Sequence, residues 1–277
     1  QGHRDAEKKT TVTTLKPVNL TYPSLIPPPS ISDVGVGQPL VVRFDEDIKN
    51  KAAVEKAMHV KTTPAQTGGW YWISDKEAHY RPKVYWQPGT DIKLHIGVYG
   101  KDLGGGMYGE SDRDAKFTVH DSWIARADGS DQQMQIFHNG QMVKTMPISM
   151  GKDVTPTHAG THVISDKDRV YTMDSCTYGV CGGPESYRTD EYYAMRISND
   201  GEFVHENPDS VSSQGNTNVS HGCINLNESN AIWFFNHFNL GDVVEVTNSN
   251  GPELPVYDTY GDWAVSWSEW QQGSALR

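Results

Sequence analysis

Short apolar runs broken by turn residues dominate the first part of the chain. Leu40-Val41-Val42-Arg43-Phe44 follows a Gly/Pro turn, and Gly69-Trp70-Tyr71-Trp72-Ile73-Ser74 is aromatic. His79-Tyr80-Arg81-Pro82 and Ile92-Lys93-Leu94-His95-Ile96 come next, with Gln87-Pro88-Gly89 between them. Runs of this length and punctuation predict a β-sandwich over residues 30–120. Ala52 to Met58 reads as a short helix or turn. The aromatic side chains here are assigned to the sandwich core rather than to a glycan site, because large rings are the usual core filling. Ahead of the sandwich, residues 1–29 are polar, with a Lys/Thr-rich stretch from Lys8 to Thr14 and a stiff Pro27-Pro28-Pro29. They are expected to form a disordered or extended lead-in.

The strand pattern resumes near Ser122 and defines a second unit over residues 121–250. Trp123 to Ala127 is strand-like. Gln133 to His138 and Gln141 to Met146 flank Asn139-Gly140, the pair that a tight hairpin turn needs at its two positive-φ positions. Further strands are expected at Gly160–Ile164, Tyr193–Ile197 and Gly201–His205. One helix stands out, Glu228 to Phe238. Asn227 is placed to cap it, Gly241 to end it, and Ile232, Phe235 and Phe238 recur at helical spacing. Val243-Val244-Glu245-Val246 is a final strand. Residues 251–277 carry Trp263, Trp267 and Trp270 and are expected to dock as an extension on the catalytic unit.

Length and charge narrow the function. A chain of 277 residues suits two domains. A net charge of −11 excludes nucleic acid as a partner class, since phosphate binding needs a basic surface. No apolar run is long enough to span a bilayer. The polar start Gln1-Gly2-His3-Arg4 resembles a processed or truncated end, so the lack of a signal segment says little about destination. Of the three cysteines, Cys176 and Cys181 lie five positions apart in a Gly/Pro-rich segment and form the natural disulfide pair. A bridge there implies an oxidising compartment. Cys223 is left free.

The chemistry concentrates in Ser220-His221-Gly222-Cys223-Ile224-Asn225. A cysteine just ahead of a capped helix has a route to a lowered pKa. Gly222 lets a substrate approach the backbone closely, and the N–H groups of Gly222 and Cys223 are candidates to stabilise an oxyanion. A thiol also needs a base. His221 shares a face with Cys223 if the segment is extended, whereas His205 ends the preceding strand and reaches across a loop. Spacing alone leaves both open. Rival constellations are weak. His158 and His162 fall on a strand, where i, i+4 spacing has no metal-binding meaning. Gly104-Gly105-Gly106 lacks the lysine and helix of a phosphate loop.

His205 and the Ser-His-Gly-Cys run together resemble the signature of the L,D-transpeptidase catalytic domain. Met150-Gly151-Lys152-Asp153, Thr155-Pro156-Thr157, Met173-Asp174-Ser175, Thr177-Tyr178-Gly179 and Gly261-Asp262-Trp263 are similar to actinobacterial, especially mycobacterial, members. Tyr85-Trp86-Gln87-Pro88-Gly89-Thr90 and Gly104 to Gly109 resemble the immunoglobulin-like domain that precedes it there. The resemblance implies a mainly β protein: a sandwich, then a β-rich catalytic domain with one main helix and a short C-terminal extension.

The resemblance also assigns roles. Cys223 is the nucleophile and His205 its base, oriented by the backbone carbonyl of Glu206. Gly222 supplies the oxyanion N–H and His221 supports. Tyr187, Met173, Ser220 and Asn225 bind substrate. The implied reaction is acyl transfer from a peptidoglycan tetrapeptide stem to a second stem, releasing D-alanine and forming a 3→3 cross-link, without metal or organic cofactor. Carbapenems would acylate Cys223. The setting would be extracytoplasmic, in the cell wall or periplasm, anchored to or exported across the cytoplasmic membrane. Glu206-Asn207-Pro208-Asp209 departs from the relatives' pattern and brings carboxylates near the imidazole, which would raise its pKa. The alternatives are an L,D-carboxypeptidase using the same residues and a catalytically weak cell-wall-binding protein. A sortase is discounted, because the only arginine after Cys223 is Arg277.

Overall fold

The computed structural model describes residues 17, 19–179, 181–184 and 186–277. The first sandwich sheet runs β2 (Pro23–Ile26), β4 (Leu40–Phe44), β7 (Glu77–Pro82), β6 (Gly68–Trp72). The facing sheet runs β3 (Asp33–Val34), β10 (Arg113–Val119), β8 (Asp91–Ile96), β5 (Met58–Thr63). Along β8, Ile92, Leu94 and Ile96 turn inward and the residues between them turn to solvent, the period-two signature of a half-buried strand. Trp70, Trp72 and Trp86 are buried with Leu40, Val42, Phe44 and Phe117, so the aromatics are core. The helix-or-turn expected from Ala52 becomes α1 (Lys51–Glu55), capped by Asn50 Oδ1, which accepts from Ala53 N–H at 3.0 Å.

The lead-in expectation needs correcting. Residues 1–16 and 18, including the Lys/Thr-rich stretch, lie outside the described residues. From Asn19 onward, however, the chain is part of the sandwich. β1 (Asn19–Thr21) pairs with β9 (Met107–Gly109), and β2 covers the edge of β4 with Leu25 opposite Val42. Leu25 is buried, and an apolar residue gained by the core outweighs the polar average of its neighbours.

The second unit holds two sheets. One runs β13 (Gln141–Pro147), β12 (Gln133–His138), β11 (Trp123–Asp128), β19 (Val243–Thr247), β14 (Gly160–Val163). The Asn139-Gly140 hairpin forms as expected, with φ of 48° and 81°. The other sheet runs β15 (Asp166–Asp174), β16 (Arg188–Arg196), β17 (Phe203–Glu206), β18 (Ile224–Leu226). Between the two packs α2 (Glu228–His237), capped by Asn227 Oδ1 on Asn230 N–H at 3.0 Å. Its buried face is Ala231, Phe234 and, just past its end, Phe238. The expected stripe through Ile232 and Phe235 is therefore rotated. Those two side chains are half-buried, and Phe235 meets the ring of Tyr193 at 5.7 Å.

The tail corrects another expectation. It returns to the sandwich as well as touching the catalytic unit. Arg81 lies under three tryptophans, 4.7 Å from Trp263, 5.5 Å from Trp267 and 4.5 Å from Trp270, and donates to Val265 O at 2.6 Å. Trp270, in α3 (Trp267–Gln272), donates to Gly69 O at 2.9 Å. A buried guanidinium keeps its charge here by finding π faces and a carbonyl in place of water. The two units also meet backbone to backbone. Gly35 N–H donates to Leu240 O at 2.8 Å and Gly37 N–H to Gly241 O at 2.9 Å. A Cβ on Gly35 would sit 2.2 Å from the Gly241 carbonyl carbon, so only glycine permits this approach.

Two histidines pin these junctions. His79 is buried between Asp262 of the tail and Glu77, at 2.7 Å from each. Burial opposes its charge, but the two carboxylates outweigh it and push its pKa up to about 9. His120 bridges Asp33 of the sandwich at 2.8 Å and Asp242 of the catalytic unit at 2.9 Å, and is likewise raised to about 9. A histidine raised on folding stabilises fully below its unfolded pKa and loses that contribution as pH climbs through the folded value. Thermal stability should therefore fall between about pH 7 and pH 9.5. His79→Gln should cost about 3 kcal/mol at neutral pH, the scale for breaking a buried ion pair, and should leave a shallower alkaline decline carried by His120. Parallel pH profiles for the two proteins would refute the role of His79.

Candidate active site

Two parallel strands set the geometry of the cleft. β17 and β18 pair with Val204 opposite Ile224 and His205 opposite Asn225. The segment before β18 is held from the other side. Ser220 N–H donates to Met150 O and Lys152 N–H to Ser220 O, both at 3.0 Å, and Asn225 exchanges bonds with Ser149. Thr157 Oγ1 donates to Gly222 O at 2.7 Å and accepts from Gly151 N–H at 3.0 Å. The Met-Gly-Lys and Thr-Pro-Thr runs are thus the cradle beneath the cysteine.

That cradle overturns one expectation. Cys223 does not sit at the α2 N-terminus, because β18 separates them and Asn227 already caps the helix. Activation by the helix dipole is lost with the distance. The partner of the cysteine is His205, which is buried, lines the same cleft and has its pKa raised by the neighbouring thiol. His205 Nδ1–H donates to the Glu206 carbonyl at 2.6 Å, which leaves Nε2 for the thiol. Cys223 is 8% exposed, packs with Met173, Ala194 and Phe203, and places Sγ 3.5 Å from Gly201 O.

The remaining expected residues fall as follows. Met173, Tyr187, Ser220, His221 and Asn225 line one cleft of about 420 Å³ together with His205 and Cys223. Asn225 Oδ1 is buried and has no hydrogen-bond partner among the described residues. His221 stands at the exposed rim, with Nε2 3.3 Å from Lys152 Nζ and its ring 5.6 Å from that of Tyr187. The Gly222 N–H is already committed: it donates to Ser220 Oγ at 3.1 Å, and that hydroxyl donates to Cys223 O at 2.6 Å. Cys176 and Cys181 form a disulfide in the segment leading to Tyr187, their Cα atoms 4.5 Å apart. No cluster of metal-ligating side chains is present among the described residues.

Sequence reasoning missed two carboxylates. Asp209 lines the cleft, yet the carboxylate at the imidazole is Glu191, whose Oε2 lies 3.2 Å from His205 Nδ1. Burial pulls the His205 pKa down, but Cys223 and then Glu191 outweigh it and push it up to about 10. A period-two reading would have found this residue, because Tyr187, Thr189 and Glu191 all face the cleft at alternate positions. The second is Glu202, buried behind Gly222. Its Oε1 accepts from His158 N–H at 2.7 Å and meets His158 Nδ1 at 3.0 Å, while Oε2 meets His162 Nε2 at 3.2 Å. The two histidines rejected as a metal pair are ligands of a carboxylate.

The family comparisons agree with this geometry. The bacterial Ig domain profile matches residues 1–102, and the L,D-transpeptidase catalytic domain profile matches residues 122–246. The solved complex of the L,D-transpeptidase LdtMt1 with imipenem superposes with a TM-score of 0.70 at 33% identity, over 81% of this chain and 97% of that one. This chain belongs to the L,D-transpeptidase family. L,D-transpeptidase 3 of Mycobacterium tuberculosis, solved with a faropenem-derived adduct, superposes with a TM-score of 0.67 at 30% identity, over 81% of this chain and 97% of that one. L,D-transpeptidase 2 of Mycobacterium tuberculosis (strain CDC 1551 / Oshkosh) is 44% identical over 271 residues. That match takes in 98% of this chain, which spans 66% of the relative's length.

Within this L,D-transpeptidase fold, Glu202 is the support most exposed to test. Burial alone would raise its pKa, but His158 and His162 outweigh that and hold it at about 2. A carboxylate depressed on folding stabilises above its ordinary value of 4.5 and loses that contribution as pH falls towards 2. Glu202→Ala should lower stability by about 3 kcal/mol at neutral pH, because it strips a buried charge of its partner. It should also flatten the acid limb of the stability curve. Chemical denaturation from about pH 3 to pH 7 measures both, and an unchanged midpoint would remove Glu202 from this role.

Proposed function

We propose that the chain is a peptidoglycan L,D-transpeptidase that forms 3→3 cross-links by cysteine acyl transfer. The observation that carries this reading is that Cys223 and His205 share one peptide-sized cleft, with His205 Nδ1 committed to the Glu206 carbonyl. A raised imidazole pKa keeps a proton on His205 for the leaving group. The thiolate attacks the carbonyl that joins diaminopimelate to the terminal D-alanine of a tetrapeptide stem. A C–S bond forms, the C–N bond breaks, and His205 gives its proton to the departing D-alanine. The side-chain amine of a second stem then attacks the thioester. The new amide forms, the C–S bond breaks, and the amine proton passes to neutral His205, which restores the ion pair.

The walls suit the substrate. Met173 and Phe203 offer apolar surface beside the sulfur, and Asn225 Oδ1 offers an acceptor to a donor-stem N–H. Tyr187 and His221 border the rim where a second stem would enter. For the oxyanion, Gly222 N–H would exchange Ser220 Oγ for the developing charge, a substitution that Gly222 permits at φ +127°. The Cys176–Cys181 bridge supports an extracytoplasmic setting, where disulfides persist. No helix among the described residues is long and apolar enough to cross a membrane.

Carbapenems should acylate Cys223 as carbonyl substrates, since the LdtMt1 relative was solved with imipenem. Intact mass after mixing with imipenem should show one drug-sized gain for the wild type and none for Cys223→Ala. With disaccharide-tetrapeptide, the wild type should release D-alanine and yield cross-linked dimer, and His205→Gln should lose at least about 100-fold in rate, the lower scale for a general base. Tripeptide without dimer would identify a carboxypeptidase. No mass gain on the wild type would discard the enzyme reading in favour of a wall-binding protein.

A further inference from the structure

We propose that Glu191 is a positioning residue for the second half-reaction: by flanking Nδ1 of His205, it sets how readily that imidazole takes the proton of the acceptor amine. This rests on the transpeptidase reading of the cleft.

The argument begins with the hydrogen-bond inventory of one ring. The His205 Nδ1–H is directed to Glu206 O at 2.6 Å, and the ring needs no second acceptor to fix its tautomer. Glu191 Oε2 nevertheless lies 3.2 Å from the same nitrogen, on a strand that faces the cleft. A carboxylate in that place does little for orientation and much for charge, because it stabilises the imidazolium over the imidazole. It is also well held. Glu191 is paired with Tyr171 across β15 and β16, and its side chain is only 15% exposed.

Other groups around the ring do not duplicate it. From the segment before β18 come Cys223 and His221, and from β18 itself the neutral Asn225. The turn Pro208–Ser210 contributes Asp209 at the cleft wall. On β17, Glu206 carries its own side chain, whose pKa is raised by burial and by Glu228 and Glu191. The groups that hold the proton on His205 against burial are Cys223 and Glu191.

The two partners differ in when they act. In the free enzyme both flank the ring. Once Cys223 is acylated its sulfur is a neutral thioester, and Glu191 alone remains to oppose burial. The acyl-enzyme is the form in which His205 must be unprotonated to accept the amine proton. Glu191 therefore delays aminolysis on the acid side while leaving a stronger proton acceptor once the ring is neutral. It separates the pH demands of the two half-reactions.

The test uses the full chain with Cys223→Ala, which removes the sulfur charge as acylation does. Titrate the His205 ring by NMR in that background, and again with Glu191→Asp and Glu191→Gln added. The expected order of His205 pKa is Glu, then Asp, then Gln, with the Glu-to-Gln drop about one unit or more. Any two variants that fold decide the order, and equal values would overturn the proposal. With Cys223 restored, the acid limb of cross-link formation should move to lower pH in Glu191→Gln by the same shift, with acylation by imipenem retained. A limb that stays in place overturns it too. Loss of imipenem acylation in every protein would instead sink the transpeptidase reading, while the Cys223→Ala titration still decides whether Glu191 tunes the ring.

Discussion

Pairing of β17 with β18 is the constraint on which the cleft depends. The two strands run parallel, with His205 opposite Asn225 and Val204 opposite Ile224. Because side chains alternate along a strand, Phe203 and His205 share a face. Phe203 joins the apolar wall around Cys223, while His205 lines the cleft beside it. A slip of one residue would exchange these faces and put an apolar side chain where the base stands. The register is locked at several points. Val204 and Ile224 are core residues, Asn225 is tied to Ser149, and Glu202 fills the space behind Gly222. The chemistry thus inherits its precision from packing.

The same logic of buried charge recurs away from the cleft. The chain carries an excess of acid, −11 overall, and each histidine of the junctions is met by two carboxylates. Solvation that a charged ring loses on burial is returned by these partners at close range. The outcome differs with the balance. Asp242 is pushed up to about 6 by burial despite His120, whereas Glu77, less buried and also paired with Arg43, is held at about 2. Together with the Gly35–Gly241 contact and the tryptophans over Arg81, these pairs fasten sandwich, catalytic unit and tail to one another.

Local features were legible in the sequence, and features made by distant partners were not. The Asn139-Gly140 turn, the Asn227 cap and the alternation along β8 are each decided within a few residues, and each formed as read. The Ser-His-Gly-Cys run and His205 could be named because their spacing is a family signature. The helix stripe was misread because Ala231, a small residue, holds the close-packed position that hydrophobicity alone assigned to Ile232. The helix-dipole expectation failed because three residues of strand cannot be told from a helix approach without the pairing partner. Leu25 shows the opposite error: a polar neighbourhood hid a strand whose value lies in the sheet edge it covers. Glu202 was invisible for a related reason. It gains its meaning from His158 and His162, far along the chain.

The dielectric argument explains why such carboxylates matter so much to a cysteine enzyme. Burial by itself would strip the proton from His205 and leave a neutral pair of thiol and imidazole, poor in both nucleophile and acid. Exposure would preserve the charge but let water compete for the thioester. A buried imidazole flanked by a carboxylate escapes this dilemma. It stays charged despite its burial, with the cysteine beside it in the cleft. The cost appears after acylation, when the retained carboxylate still favours the proton that the ring must no longer hold. Placing the negative charge at Nδ1, across the ring from the thiol, moderates that cost. The field reaches the proton through the imidazole, and the side facing Cys223 stays open to substrate.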